Sequence, residues 1–102
     1  MSNVANIALQ TAYATGRPYA HVSGCAVVLI TNARRSKSHG LEGDGARREF
    51  KSAALARSVG ARGLQGMANF PHLSPGQALD AAEMYAAAAY RHAQRRRGRR
   101  AC

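Results

Sequence analysis

The chain has few of the residue types on which enzyme active sites and disulfide frameworks depend. Its 102 residues include only five acids and two cysteines, and no tryptophan. Acids scattered along the chain argue against paired-carboxylate catalysis. Cys25 and Cys102 are too few for a disulfide framework, and Cys25, which begins an apolar run, is expected to be a buried thiol. We assign no catalytic residue and expect a protein that is not an enzyme.

Long apolar segments are also missing. The longest strongly apolar run, residues 25–30, is far shorter than the roughly 20 residues that span a bilayer. The opening MSNVANIALQTAYATG lacks the basic region and apolar stretch of a secretory signal. We therefore expect no membrane association. A cytoplasmic location, or a place within a virion or nucleoprotein assembly, is expected.

The sequence offers no pattern typical of a metal or cofactor site. His21 and Cys25 are too widely spaced on an expected strand to share one ion, and no second ligand pair accompanies them. GLEGDG and GARGLQG are rich in glycine, but neither has the strand–turn–helix context of a phosphate-binding loop. We expect neither a metal nor a cofactor.

The apolar residues of the chain are mostly too small to build a large core. They amount to 46% of the chain, and alanine supplies nearly half of them, so burial gains little against the entropy of ordering the backbone. We expect one small domain over residues 1–90 and a basic arginine-rich tail over 91–102. Either a partner or self-association, the latter through a strand at 19–31 or a helix at 75–97, is expected to complete the core.

Local signals predict a mainly helical α+β fold with about three helices and one central strand. Residues 3–15 read as a helix capped by Asn3 and ended by Gly16. Residues 19–31 read as a single strand covered on both faces. That strand needs a partner, either the segment 64–70 or a second copy of the chain.

The second half reads as a long loop followed by helices. Residues 33–48 are expected to form a glycine-rich basic loop, and residues 46–59 a helix entered from Asp44 and closed by Gly60. Phe50, Ala53 and Ala54 would form its inner face, and residues 60–73 would be turn or irregular helix. A capping box, Ser74-Pro75-Gly76-Gln77, begins a basic helix over 75–97, in which Leu79, Ala82, Ala86, Ala89 or Tyr90, and Ala93 make a small-residue seam.

Residues 55–62 resemble a helix-turn-helix in part. Ala56 would allow two helices to pack closely, and Gly60 would form the turn. Gly63 and Gly66 weaken the helix that should follow, so no family is assigned. A ribbon-helix-helix dimer built on the strand at 19–31 is a further alternative.

Positive charge is the dominant feature. Fifteen Lys and Arg residues stand against five acids, for a net charge of +10, and most of the fifteen are arginine, which suits phosphate. We expect a small nucleic-acid-binding accessory or architectural protein, with DNA or RNA as partner. The alternative is a structural or inhibitory protein, of the phage or virion-component type, that docks on an acidic protein surface. The candidate nucleic-acid-binding residues are Arg34, Arg35, Lys37, Arg47, Arg48, Lys51, Arg57, Arg62, Arg91, Arg95, Arg96, Arg97, Arg99 and Arg100.

Overall fold

A three-stranded antiparallel sheet forms the centre of the molecule. A computed structural model describes residues 4–38 and 40–96 of the chain. In these residues the element order is α1 Val4–Thr15, β1 Tyr19–Ser23, β2 Ala26–Arg35, β3 Leu41–Glu49, α2 Ala53–Asn69 and α3 Pro75–Arg96. The strand order is β1-β2-β3. The prediction of an α+β fold is confirmed, and the prediction of one central strand is wrong.

The predicted strand at 19–31 is two strands joined by a tight turn. Gly24 has φ +61, which glycine adopts at no steric cost, and only Gly24 and Cys25 separate β1 from β2. Ser23 faces Ala26 and Tyr19 faces Ile30 across the pair. Gly24 is therefore a hairpin turn rather than an interruption within one strand. Cys25, predicted to be buried, is only half-buried in this turn.

The predicted basic loop at 33–48 is instead the second hairpin of the sheet. Its register pairs Val27 with Arg48 and Arg35 with Leu41, and a bulge at Asn32, whose φ is 58, interrupts the ladder. The residues of β3 are poor strand formers, and backbone pairing with β2 holds them in place. The backbone of β2 is therefore paired inside the chain, so neither residues 64–70 nor a second copy is needed as its partner.

The central strand is covered on both faces, as its unbroken apolar run predicts. Alternate side chains point to opposite faces, so Val27 and Leu29 pack with α2 and α3, including Val59 and Leu79. Val28 packs on the other face, against α1. The molecule thus has three layers, with one helix on one side of the sheet and two on the other.

Helix α2 begins and ends later than predicted. Ser52 caps it by accepting a hydrogen bond from the Leu55 N–H at 3.0 Å, and the helix continues through Gly60 to Asn69. Of the predicted inner face, Phe50 lies before the helix but packs against the core, Ala53 is half-buried, and Ala54 is exposed, so that part of the prediction is wrong. The buried positions are Ala56, Val59, Gly60, Gly63 and Met67.

The continuity of α2 and the hairpin of β1 and β2 exclude the two candidate DNA-binding motifs. A helix-turn-helix needs a turn at Gly60, which lies inside a continuous helix. A ribbon-helix-helix needs one strand over 19–31, where the chain forms a hairpin.

Two helix ends follow their sequence signals closely. Gly16 has φ +70 and its N–H donates to the Ala12 carbonyl at 2.9 Å, which closes α1 as predicted; Asn3 lies outside the described residues. Ser74 and Gln77 exchange the two hydrogen bonds of a capping box, at 2.9 and 3.1 Å. Helix α3 then runs to Arg96, and its predicted seam is buried at Leu79, Ala82 and Ala86. Ala89 is exposed, and the side chains of Tyr90 and Ala93 lie outside the described set.

Candidate nucleic-acid interface

All five acidic side chains of the protein are held by hydrogen bonds. Glu42 accepts from Arg34 at 3.0 Å, Glu49 from Arg47 at 2.8 Å, and Asp44 from Asn32 at 2.9 Å. Asp80 and Glu83 both accept from Arg48, at 2.9 and 2.8 Å. Among the described residues the acids therefore engage three basic side chains, Arg34, Arg47 and Arg48.

Arg48 joins the sheet to α3. Its side chain is 34% exposed and lies between β3 and the two acids on α3. Hydrogen bonds to Asp80 and then Glu83 raise the pKa of the Arg48 guanidinium above its ordinary value. Because one guanidinium nitrogen, Nη1, is held by both carboxylates, Arg48 is a structural residue that ties the sheet to α3.

Arg47 lies on the opposite face of β3 from Arg48 and pairs with Glu49 two residues along the same strand. Both side chains are exposed, so the pair is weak and Arg47 stays accessible to solvent. Lys51 follows in the exposed segment before α2 and has no ion-pair partner in the described part of the chain. In the predicted cluster, Arg47 and Arg48 are thus paired with acids. Lys51 has no acidic partner in the described residues.

The far end of the β2–β3 hairpin gathers the clearest positive charge. The pairing of β1 with β2 ends at Tyr19 and Ile30, so the hairpin extends past β1 and carries the predicted Arg34, Arg35 and Lys37. Arg34 is engaged by Glu42 and by the Asn32 carbonyl, at 3.0 and 2.7 Å. Arg35 and Lys37 are exposed and have no acidic partner among residues 4–38 and 40–96.

Arg17 adds to this end of the molecule, although no sequence signal selects it. It follows α1 and lines a groove of about 430 Å³ together with Asn32 and Ala33, at the base of the hairpin extension. Its place beside the hairpin arises only on folding, because α1 and the hairpin are distant in the sequence. We call Arg17, Arg35 and Lys37 the hairpin cluster; Arg34 is left out because Glu42 holds it.

The two predicted arginines of α2 do not join this cluster. Arg57 and Arg62 are both exposed, but five residues separate them, which is about 140° around a helix. Arg62 faces α3, where its guanidinium carbon lies 5.9 Å from the centre of the Tyr85 ring. Each therefore presents its charge to a different side of the helical layer.

The predicted basic tail begins at the opposite end of the molecule from the hairpin cluster. Gly60 and Gly63 of α2 lie over Val22 and Leu29 of the sheet, and Arg62 meets Tyr85, so α3 runs back along α2 and its C-terminal end points away from the hairpin. Arg91 is exposed near that end. The side chains of Arg95 and Arg96 lie outside the described set, as do Arg97, Arg99 and Arg100 entirely.

The hairpin cluster and Arg91 lie far apart along the molecule. Six residues of β3 separate Glu42 from Arg48, or about 20 Å, and eight residues of α3 separate Glu83 from Arg91, or about 12 Å. Because Arg48 contacts Glu83, the hairpin cluster and Arg91 are roughly 30 Å apart. The structure therefore places the predicted residues in separate groups along one long axis.

The described residues show neither a metal-binding group nor a membrane-spanning helix. They contain no group of three His, Cys, Asp or Glu side chains that could hold a metal ion. Nor does any of their helices have the length and apolarity to cross a membrane.

Comparison with known proteins gives no relative from which to transfer a function. No protein-family model, curated protein or solved structure matches the chain. The functional argument therefore depends on the charges and contacts described above.

Proposed function

We propose that the protein is a small nucleic-acid-binding accessory or architectural protein that grips the phosphate backbone. The observation that carries the proposal is the pairing of its charges. All five acids are engaged by side chains of the protein itself, whereas Arg17, Arg35 and Lys37 gather at one end without acidic partners in the described residues. Basic side chains without acidic partners at the end of a hairpin are suited to bind phosphate, and that binding releases counterions from the nucleic acid.

The spacing of the positive groups fits an extended polyanion. The roughly 30 Å between the hairpin cluster and Arg91 is close to one turn of B-form DNA, about 34 Å. A backbone laid along the molecule would meet the hairpin cluster at one end and Arg91 of α3 at the other. Phosphate contacts carry no sequence information, so we expect little base specificity.

The proposal is tested by removing charge where it is uncompensated and where it is paired. The triple variant Arg17→Gln, Arg35→Gln, Lys37→Gln removes three charges with no acidic partner. Removing one phosphate-binding side chain lowers the slope of log K against log salt by about 1, so we expect a reduction of about 3 in fluorescence-anisotropy titrations. The matched control, Arg34→Gln with Glu42→Gln, removes an ion pair without changing net charge and is expected to leave the slope unchanged.

Two results would reject the proposal. One is a triple variant with the same salt slope as the parent protein, with far-UV circular dichroism showing that both are folded. The other is a parent protein that binds nucleic acid no better than a peptide of residues 91–102. The second result would favour docking on an acidic protein surface, and deletion of residues 94–102 would then leave that assembly intact.

A further inference from the structure

An apolar groove runs between α2 and α3 on the side that faces away from the sheet. Its volume is about 240 Å³, smaller than the roughly 300–1,000 Å³ pockets that hold drug-sized ligands. Gly66, Ala78 and Ala82 form its floor with Leu73. Because these residues are small, the groove is open to flat groups that enter from solvent.

Two exposed aromatic rings lie along this groove. Phe70 is 54% exposed and Tyr85 is 70% exposed, and both line it. The Phe70 ring meets the His72 ring edge-on, with the ring centres 6.3 Å apart. Aromatic faces left in water offer stacking surfaces for nucleic-acid bases, and such stacking tolerates any base sequence.

The polar residues of the groove favour an anionic occupant. Among the described residues that line it, Arg62 is charged, and Gln65 and Asn69 add amide groups that can donate and accept hydrogen bonds. The neighbouring groove on the other side of α3 is lined by Asp80 and Glu83 together with Arg91, and Arg48 holds both carboxylates. The acidic side chains of α3 therefore line that other groove, away from the aromatic rings.

We propose that this groove binds unpaired bases of single-stranded nucleic acid, an inference that rests on the function proposed above. Bases stack on Phe70 and Tyr85, and Arg62, already positioned over the Tyr85 ring, contacts the adjoining phosphate. In a duplex the base faces are stacked on one another and cannot reach these rings. The groove thus selects single strands, while the hairpin cluster supplies affinity for phosphate in any strand.

The absence of tryptophan from the sequence makes a direct optical test possible. Phe70→Trp introduces a single tryptophan at the groove, and its fluorescence is expected to be quenched by a single-stranded oligothymidylate of about 12 nucleotides. A duplex of the same length is expected to leave the fluorescence unchanged. The matched control is Tyr13→Trp on α1, across the sheet from the groove, where the parent side chain is 41% exposed and no quenching is expected.

Affinity measurements separate stacking from general packing. Tyr85→Phe keeps the aromatic face and is expected to retain binding to the oligothymidylate. Tyr85→Leu keeps apolar area without a ring, and is expected to weaken that binding by roughly 5- to 100-fold while leaving duplex binding unchanged. Because the side chain is exposed, both variants are expected to fold like the parent.

The outcomes distinguish this inference from the function on which it rests. A parent protein with no salt-dependent binding to any nucleic acid would reject both. Salt-dependent binding with unchanged affinity in Tyr85→Leu and no quenching in Phe70→Trp would overturn the groove assignment alone. A change of oligomeric state in Tyr85→Leu, seen by size-exclusion chromatography, would also overturn it, because the groove would then be an interface between copies.

Discussion

The close approach of α2 to the sheet depends on glycine at position 60, and substitution by alanine tests it. A Cβ at Gly60 would lie 2.7 Å from Cγ2 of Val22 and 3.7 Å from Cγ1 of Val27. The first distance is too short for two carbon atoms. Valine is branched at Cβ and has few alternative rotamers, so Val22 cannot swing aside cheaply. Either the helix or the strand must therefore move.

The size of the effect follows from two opposing terms. Overpacking a core typically costs about 1–3 kcal/mol, whereas replacing glycine by alanine inside a helix stabilises it by about 1 kcal/mol. We therefore expect Gly60→Ala to lower the free energy of unfolding by up to about 2 kcal/mol. Gly66 is the matched control, because a Cβ there would meet only Leu73 at 3.9 Å, an ordinary contact, so Gly66→Ala is expected to stabilise by up to about 1 kcal/mol.

The difference between the two variants isolates the packing term, since the helix-propensity gain is common to both. That difference is about 1–3 kcal/mol, and each 1 kcal/mol shifts the Tm of a domain of this size by roughly 4–8 °C. Thermal unfolding followed by far-UV circular dichroism measures it. Equal stabilisation by both substitutions would refute the close packing of α2 on the sheet.

Three further substitutions test the core, the cap and the ion-pair network. Leu29→Ala, at a fully buried position, is expected to cost about 2–5 kcal/mol in urea unfolding, and a cost under about 1 kcal/mol would contradict the assigned core. Ser74→Ala removes the hydroxyl that accepts from the Gln77 N–H and is expected to cost about 1 kcal/mol; no change in stability would mean that this cap does not hold α3. Arg48→Met leaves Asp80 and Glu83 without their cation, and is expected to cost about 1 kcal/mol at low salt because the network is partly exposed. The Arg48→Met cost should shrink as salt screens the charges, and a salt-independent cost would point to packing instead.

The parts of the fold that the sequence predicts are those set by residues close in the chain. The start of α3 follows from the capping box of Ser74 and Gln77, and the end of α1 from Gly16, because each signal acts within one helical turn. The unbroken apolar run at 25–30 likewise predicts strand structure covered on both faces. All three predictions are confirmed in the described residues.

The parts that the sequence does not predict depend on contacts between distant residues. The strand β3 has the composition of a loop, and its pairing with β2 determines its conformation. Gly60 and Gly63 normally weaken a helix, but here they let α2 pack on Val22 and Leu29. Tertiary packing overrides local propensity in both cases.

The candidate site, too, is predicted only in part from the sequence. Composition alone indicates a polyanionic partner and identifies the basic residues. It cannot show that Arg48 is occupied by Asp80 and Glu83, nor that Arg17 lies beside the hairpin. Those assignments need the fold, because each joins residues far apart in the sequence.

The most direct test of the nucleic-acid-binding proposal is the salt dependence of binding by the intact protein. Fluorescence anisotropy against labelled single strands and duplexes, from about 50 to 200 mM salt, would be compared with a peptide of residues 91–102. Each neutralised phosphate contributes about 0.9 to the slope for duplex DNA and about 0.7 for single strands. We predict tighter binding by the intact protein and a slope steeper than that of the peptide by about 2–3. Equal affinities and equal slopes would contradict the account, because the folded domain would then add no phosphate contacts to those of the tail.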